Sequence, residues 1–258
     1  MTPKPQTTRN RIIGIRTLAD AQVIFLDTPG IHPARTLLNR RMVDVARQTL
    51  SEADVVILVV DASAGVTKGD RELIASRPPT LVVLSKRDRV EPAALLPAMK
   101  TLGELAPGRE IIPVSARTGE NVELLLERVV AALPEGPRFY PAEDYTAETE
   151  RFVVQETVRE QLFLQTEQEI PYGTAVEIEE FSEKPEKGLV VVRATILVDR
   201  PTHKGIVIGA GGQRLREIGR RARLELEQLL GVKVFLSLFV KVEPGWAENP
   251  RRLKELGL

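Results

Sequence analysis

Four short stretches combine residue types that could handle phosphate, a purine base or a nucleic-acid backbone. Asp27-Thr28-Pro29-Gly30 sets a carboxylate directly after the apolar run Val23-Ile24-Phe25-Leu26, with a glycine three residues on. In DxxG motifs such an aspartate reaches Mg²⁺, usually through water, and the glycine amide can approach a terminal phosphate because no side chain blocks it. Taken alone, this tetrapeptide is equally an ordinary turn. Ser85-Lys86-Arg87-Asp88 follows the apolar run 81–84 and resembles NKxD, in which the aspartate accepts two hydrogen bonds from guanine N1 and N2 while the lysine stem lies across the ring. Adenine lacks that donor pair. Ser115-Ala116-Arg117 follows the apolar run 111–114 and resembles the SAK loop, whose alanine amide meets guanine O6. Each stretch is weak by itself; the reading rests on all three standing at strand ends, in this order.

The fourth stretch, Ile206-Val207-Ile208-Gly209-Ala210-Gly211-Gly212, matches the VIGxxG pattern. There a tight glycine loop joins two helices and lets a nucleic-acid backbone come close. A bare GxxG is common, so its weight comes from the apolar helix before it and the basic helix after it. Ile208, Gly209, Ala210, Gly211 and Gly212 are the candidate contacts, with Arg214, Arg216, Arg220 and Arg221 supplying salt-sensitive phosphate contacts. Across residues 201–223, Lys204, Arg214, Arg216, Arg220, Arg221 and Arg223 face only Glu217. That is a field attractive to phosphate, or else the solvated face of a helix.

The elements that must position these groups change character midway. The first half alternates short β-branched runs (11–16, 22–26, 55–60, 81–84, 111–114) with amphipathic stretches (36–50, 92–105, 121–133), the pattern of parallel strands and crossover helices. Leu133-Pro134-Glu135-Gly136-Pro137 cannot continue a helix and marks a boundary. Beyond it the pattern predicts a helix over 149–165, strands over 172–181 and 189–198 joined by a charged turn at 182–188, two helices around 209–212, and a strand over 232–242. That order is α-β-β-α-α-β. The expected domains are 1–136 (α/β), a linker 137–148, and an α+β unit 149–258.

Composition sets outer bounds. The chain has 258 residues, enough for two domains, and 43% hydrophobic with 28% charged residues is an ordinary soluble balance. With no cysteine there is no disulfide or thiolate metal site. No apolar run approaches the roughly 20 residues that cross a bilayer, and a cytoplasmic location is expected. Net charge is zero, distributed as +3 over 1–140, −8 over 141–200 and +5 over 201–258. Phe163, Phe235 and Phe239 read as core residues, Trp246 as a packing anchor, and His32 and His203 as surface polar residues.

The three strand-end motifs resemble those of the translation-factor-related GTPases. Pro5-Gln6-Thr7-Thr8-Arg9-Asn10-Arg11-Ile12-Ile13-Gly14-Ile15, similar to a switch I, narrows the resemblance to the Era family, along nearly the whole chain. The resemblance implies an α/β GTPase-type domain followed by a type II KH domain. Thr8 (or Thr7) and Asp27 would meet Mg²⁺; Gly30 would approach the γ-phosphate; Ser85, Lys86, Asp88, Ser115 and Ala116 would hold the guanine of GTP or GDP. Ile31 takes the place of a water-orienting glutamine, so hydrolysis would use other groups, with a potassium ion as a family expectation. The implied partners are the 3′ end of 16S rRNA and the 30S ribosomal subunit, with no DNA, and peripheral association with the inner face of the cell membrane is a family trait.

Two departures qualify this. Ser85 replaces the usual Asn, which would weaken the tie to the phosphate loop while Asp88 still selects guanine. Nowhere is there G-x-x-x-x-G-K-[ST], the loop whose amides and lysine wrap the phosphates. In the family it precedes switch I together with a central strand, whose loss would leave a gap between the strands at 22–26 and 55–60 or force them together. The expectations are therefore an Era-like GTPase acting in small-subunit assembly, or a short RNA-binding KH protein whose nucleotide domain does not function. A double-GTPase ribosome factor fits less well, because only one set of guanine motifs is present.

Overall fold

The computed structural model describes residues 8–31 and 36–258; Thr7 and His32 lie outside them. Contacts divide the described chain into two compact units. One holds 14–25 and 48–145, the other 8–13, 26–31, 36–47 and 146–258.

In the first unit, β1 (Ile12–Thr17, begun in the other unit) and β2 (Gln22–Asp27) form a two-stranded sheet. The strands β3 (Ile57–Asp61), β4 (Leu81–Ser85) and β5 (Ile111–Pro113) form a separate parallel sheet in that order. Among the described residues no ladder joins β2 to β3, so of the two outcomes expected the strands stay apart. The central β4, Leu-Val-Val-Leu, is apolar on both faces because both are covered. Val82 and Leu84 pack with Ile74 of α2 (Lys68–Ser76) and Leu102 of α3 (Pro92–Leu105). Leu81 packs with Val129, and Val83 packs with Leu124 and Leu125, all on α4 (Val122–Ala132). The register sets Asp61 beside Ser85 and Leu84 beside Pro113, so all three loops leave the same end of the sheet. α2 has no counterpart among the expected helices. Its start was legible as Thr67-x-x-Asp70, a capping box in which each side chain takes the other's backbone N–H.

The second unit shows the expected order, with α5 (Glu150–Gln165), β6 (Thr174–Lys184), β7 (Leu189–Val198), α6 (Pro201–Ile208), α7 (Gln213–Leu230) and β8 (Lys233–Val242). β7 is central, antiparallel to β6 and parallel to β8. β6 starts two residues later than expected because Gly173 closes a turn on Glu169, and it runs through part of the expected charged turn because Ser182–Lys184 pair with Val191–Leu189. α5 and α7 cover one sheet face through Val158, Leu162, Ile218 and Ala222 against Val176, Ile196 and Val240. Part of the other face is covered by Trp246, by Leu253 on α8 (Pro250–Glu255), and by Leu38 and Met42 from the first turns of α1 (Leu37–Glu52). α8 was also not foreseen; Asn249 caps it, accepting from Arg251 and Arg252 amides.

Trp246 is 1% exposed, as a packing anchor should be. Three other expectations are corrected. Phe163 is buried, but Phe235 and Phe239 are 53% and 61% exposed, because odd positions of β8 face away from α7. His203 is buried, and its Nδ1 has no hydrogen-bond partner among the described residues. Arg9, which the sequence did not single out, is 5% exposed. Its guanidinium donates to the carbonyls of Thr174 (2.6 Å), Tyr172 (2.8 Å) and Pro171 (3.3 Å) and lies 5.8 Å from the Trp246 ring centre. Burial pushes its pKa down to about 9, which still leaves it charged at neutral pH.

Candidate functional site

In the α/β unit the loops after β3, β4 and β5 interlock. Asp88 Oδ1 accepts from Ser115 Oγ at 2.7 Å and Oδ2 accepts from Arg117 Nε at 2.7 Å. These two donors hold the Asp88 carboxyl below the usual carboxylate range, Ser115 contributing more. The carboxylate is fixed and ionised, and each oxygen retains acceptor capacity for a paired donor from outside. Arg87 N donates to Val114 O at 3.1 Å and ties the loop to the following strand. Ala116 is exposed and Ser115 fully buried.

Lys86 adopts a left-handed backbone (φ 55°), turning its stem away from the path of β4. Its Nζ meets Asp61 Oδ2 at 2.6 Å. Asp61 also accepts from Ser63 N and Oγ, and although burial acts to raise its pKa, the bonds from Lys86 and Ser63 outweigh this and hold it at about 2. Sequence reasoning missed Asp61; the available signal was a carboxylate closing an apolar strand, as Asp27 does. Ser85, the departure from Asn, donates its hydroxyl to Val60 O at 3.0 Å, which bridges two strands.

In the other unit, Thr8 Oγ1 donates to Asp27 Oδ2 at 2.9 Å. This joins the two residues expected at Mg²⁺. Gly30 is exposed, and a Cβ there would meet no atom of the described residues within 4 Å.

Gly209–Gly212 does join two helices. Gly209 (φ 72°), Gly211 (φ 57°) and Gly212 (φ 77°) all take backbone that side chains disfavour. At Gly209 a Cβ would also lie 2.8 Å from Arg214 Cβ, so no other residue fits without moving α7. Arg214 donates to Ile206 O, and Arg216 to Gly211 O at 2.5 Å, so both arginines brace the loop from its carbonyl side. Arg220 and Arg221 both bond Glu217, at 2.8 and 2.7 Å, and this pair of donors, Arg220 first, holds the Glu217 pKa at about 2. The expected cationic helix is therefore partly self-neutralised. Beside it, a groove of about 390 Å³ runs between α7 and β8, lined by Leu215, Arg216, Gly219, Arg220, Leu236 and Leu238.

The family model for a KH domain matches residues 169–247, and that for a 50S ribosome-binding GTPase matches residues 1–86. GTPase Era of Geobacter metallireducens is 46% identical over 98% of this chain and 87% of its own length; that of Syntrophus aciditrophicus is 44% identical over 100% and 85%. The chain belongs to the Era family of GTPases. A solved Era structure in complex with MgGDPNP and nucleotides 1506–1542 of 16S ribosomal RNA superimposes with a TM-score of 0.94 at 38% identity, over all of this chain and 89% of that one. An Aquifex aeolicus Era variant bound to GDP and AlF4⁻ gives the same values. The Era architecture, an α/β GTPase domain and a KH domain, is thus the one found here. Among the described residues no helix is long and apolar enough to cross a membrane, and no cluster of three or more acidic or histidine side chains could hold a metal alone.

Proposed function

We propose that this chain works in assembly of the small ribosomal subunit, gripping the single-stranded 3′ end of 16S rRNA with its KH unit under guanine-nucleotide control. The Gly209–Gly212 loop carries the reading. Three positive-φ glycines expose backbone between two helices, next to a groove that already presents Arg216 and Arg220. Ile208 and Ala210 complete the loop surface, and Arg214 and Arg216 hold its shape. In the α/β unit Asp88 takes the guanine N1 and N2 donors, Lys86 covers the ring, and Ser115 sets Asp88 while Ala116 offers its amide to O6. Thr8 and Asp27 present two hard oxygens 2.9 Å apart, which suits Mg²⁺, an ion bound by one or two protein oxygens plus substrate phosphates. With a nucleotide, that ion would neutralise phosphate charge.

The test is binding of a fluorescent 12-nucleotide RNA of the 16S 3′ end. Ala210→Asp with Gly211→Asp should cut affinity at least thirtyfold while the KH unit stays folded, the left-handed backbone at Gly211 costing about 1 kcal/mol of stability; unaltered affinity would refute the reading. A second point concerns nucleotide. The 258 residues contain no G-x-x-x-x-G-K-[ST], so this polypeptide by itself should bind RNA without GTP and hold GTP weakly. A micromolar GTP dissociation constant for it would overturn that.

A further inference from the structure

The geometry points to a second RNA-binding element, a base-stacking stripe on the outward face of β8 in which Phe235 and Phe239 receive bases of single-stranded RNA that continues past the glycine loop. This deepens the RNA-binding reading and rests on it. Successive outward positions of β8 are Lys233, Phe235, Ser237, Phe239 and Lys241, and all five are exposed. The order is cation, ring, small polar residue, ring, cation. At about 3.3 Å per residue the rings stand roughly 13 Å apart and the stripe is about 26 Å long. Aromatic faces interleaved with cations are how proteins hold single strands without reading sequence.

Three observations favour RNA over a protein partner. The phenyls do not join into one apolar patch: Ser237 stands between them, Arg193 and Thr195 lie beside Ser237 and Phe239 on β7, and Phe235 alone has an apolar partner there, the largely buried Val191, whereas the core of a protein interface is a continuous apolar patch. Lys204 Nζ lies over one face of the Phe239 ring, 5.3 Å from its centre, so a base would take the other face with a positive charge close by for its phosphate. Ser237 also borders the groove beside α7, and β8 is an edge strand, so an RNA strand leaving that groove reaches the stripe by crossing the β8 edge. The Trp246–Leu253 cluster covers the same sheet face around Ala175 and Leu197, and the cover leaves both phenyls open. The acidic limit is on β6, where Glu180 is paired with Arg193 at 3.2 Å and Glu179 accepts from Thr195.

The experiment uses the full chain and the same 12-nucleotide RNA. Phe235→Ala and Phe239→Ala should each weaken binding about tenfold, with an unchanged slope of log affinity against log salt, because stacking releases no counterions. Phe235→Tyr with Phe239→Tyr should bind like the parent. Thermal unfolding of the exposed-site variants should match the parent. The inference is overturned if the double alanine variant binds within twofold of the parent, or if its loss comes with a shallower salt slope. It is equally overturned if the variant keeps RNA affinity but no longer sediments with 30S subunits, which would assign the stripe to a ribosomal protein. Normal binding by the Ala210→Asp, Gly211→Asp variant would instead strike the glycine-loop reading.

Discussion

Glu217 bonds two arginines that the proposed RNA contact would need, and replacing it makes a quantitative test of the basic helix. Arg220 bonds it twice and Arg221 once, so the three side chains carry a net charge of +1. In Glu217→Gln the charge becomes +2 and the helix geometry is kept, since glutamine is isosteric and remains a good helix former. One further phosphate should then be neutralised. For single-stranded nucleic acid each neutralised phosphate steepens the salt slope by about 0.7, so a fourfold change in salt should alter the variant-to-parent affinity ratio by about 2.6-fold. The assay is anisotropy of the 12-nucleotide RNA between 50 and 200 mM salt. The variant should bind more tightly at every salt concentration, and most of all at 50 mM. If its slope is equal to or shallower than the parent's, the arginines are not waiting on phosphate and the charge argument fails.

Three further outcomes are expected. Arg9→Met should lower the stability of the KH-containing unit by about 3 kcal/mol, because the carbonyls of Pro171, Tyr172 and Thr174 lose their donor inside the protein, partly offset by no longer burying a charge. Urea unfolding followed by the single tryptophan, Trp246, reports it, and an unchanged midpoint would refute the anchoring role. Gly209→Ala should distort the α6–α7 junction and abolish RNA binding while leaving α5 and the sheet folded, as read by circular dichroism and anisotropy. Asp61 has its pKa depressed from 3.8 to about 2, so its contribution to stability is complete above pH 3.8 and fades as pH falls through 2. Asp61→Asn should therefore flatten the acid limb of stability in that window; a limb identical to the parent's would refute the Lys86 pairing.

The order of elements was legible because each half follows one period. Doubly covered strands read as continuous apolar runs, and α3 and β7 fall on the expected residues because a proline or glycine stands at or beside their starts. Glycine chemistry was equally local. Only a loop of positive φ explains three glycines in four residues, and the structure takes that conformation. The short helices α2 and α8 escaped because six to nine residues give too few turns for a stripe, leaving only their caps as signal, whereas the equally short α6 was legible through the glycine motif that ends it.

Side-chain fate was decided in three dimensions. Phe235 and Val234 look alike in β8, where Val234-Phe235-Leu236 and Leu238-Phe239-Val240 are continuous apolar runs, and only the docking of α7 on one face chose which is buried. His203 and Arg9 are polar by type, yet one is buried on α6 and the other sits among carbonyls more than 160 positions away. The pairing of Lys86 with Asp61 and of Asp88 with Ser115 needed the β3–β4–β5 register before any distance existed. Sequence alone thus determined which backbones form and where the glycines bend, because these depend on neighbours within a few residues. Which charges are paired, and which rings face water, depended on long-range packing that no local pattern encodes.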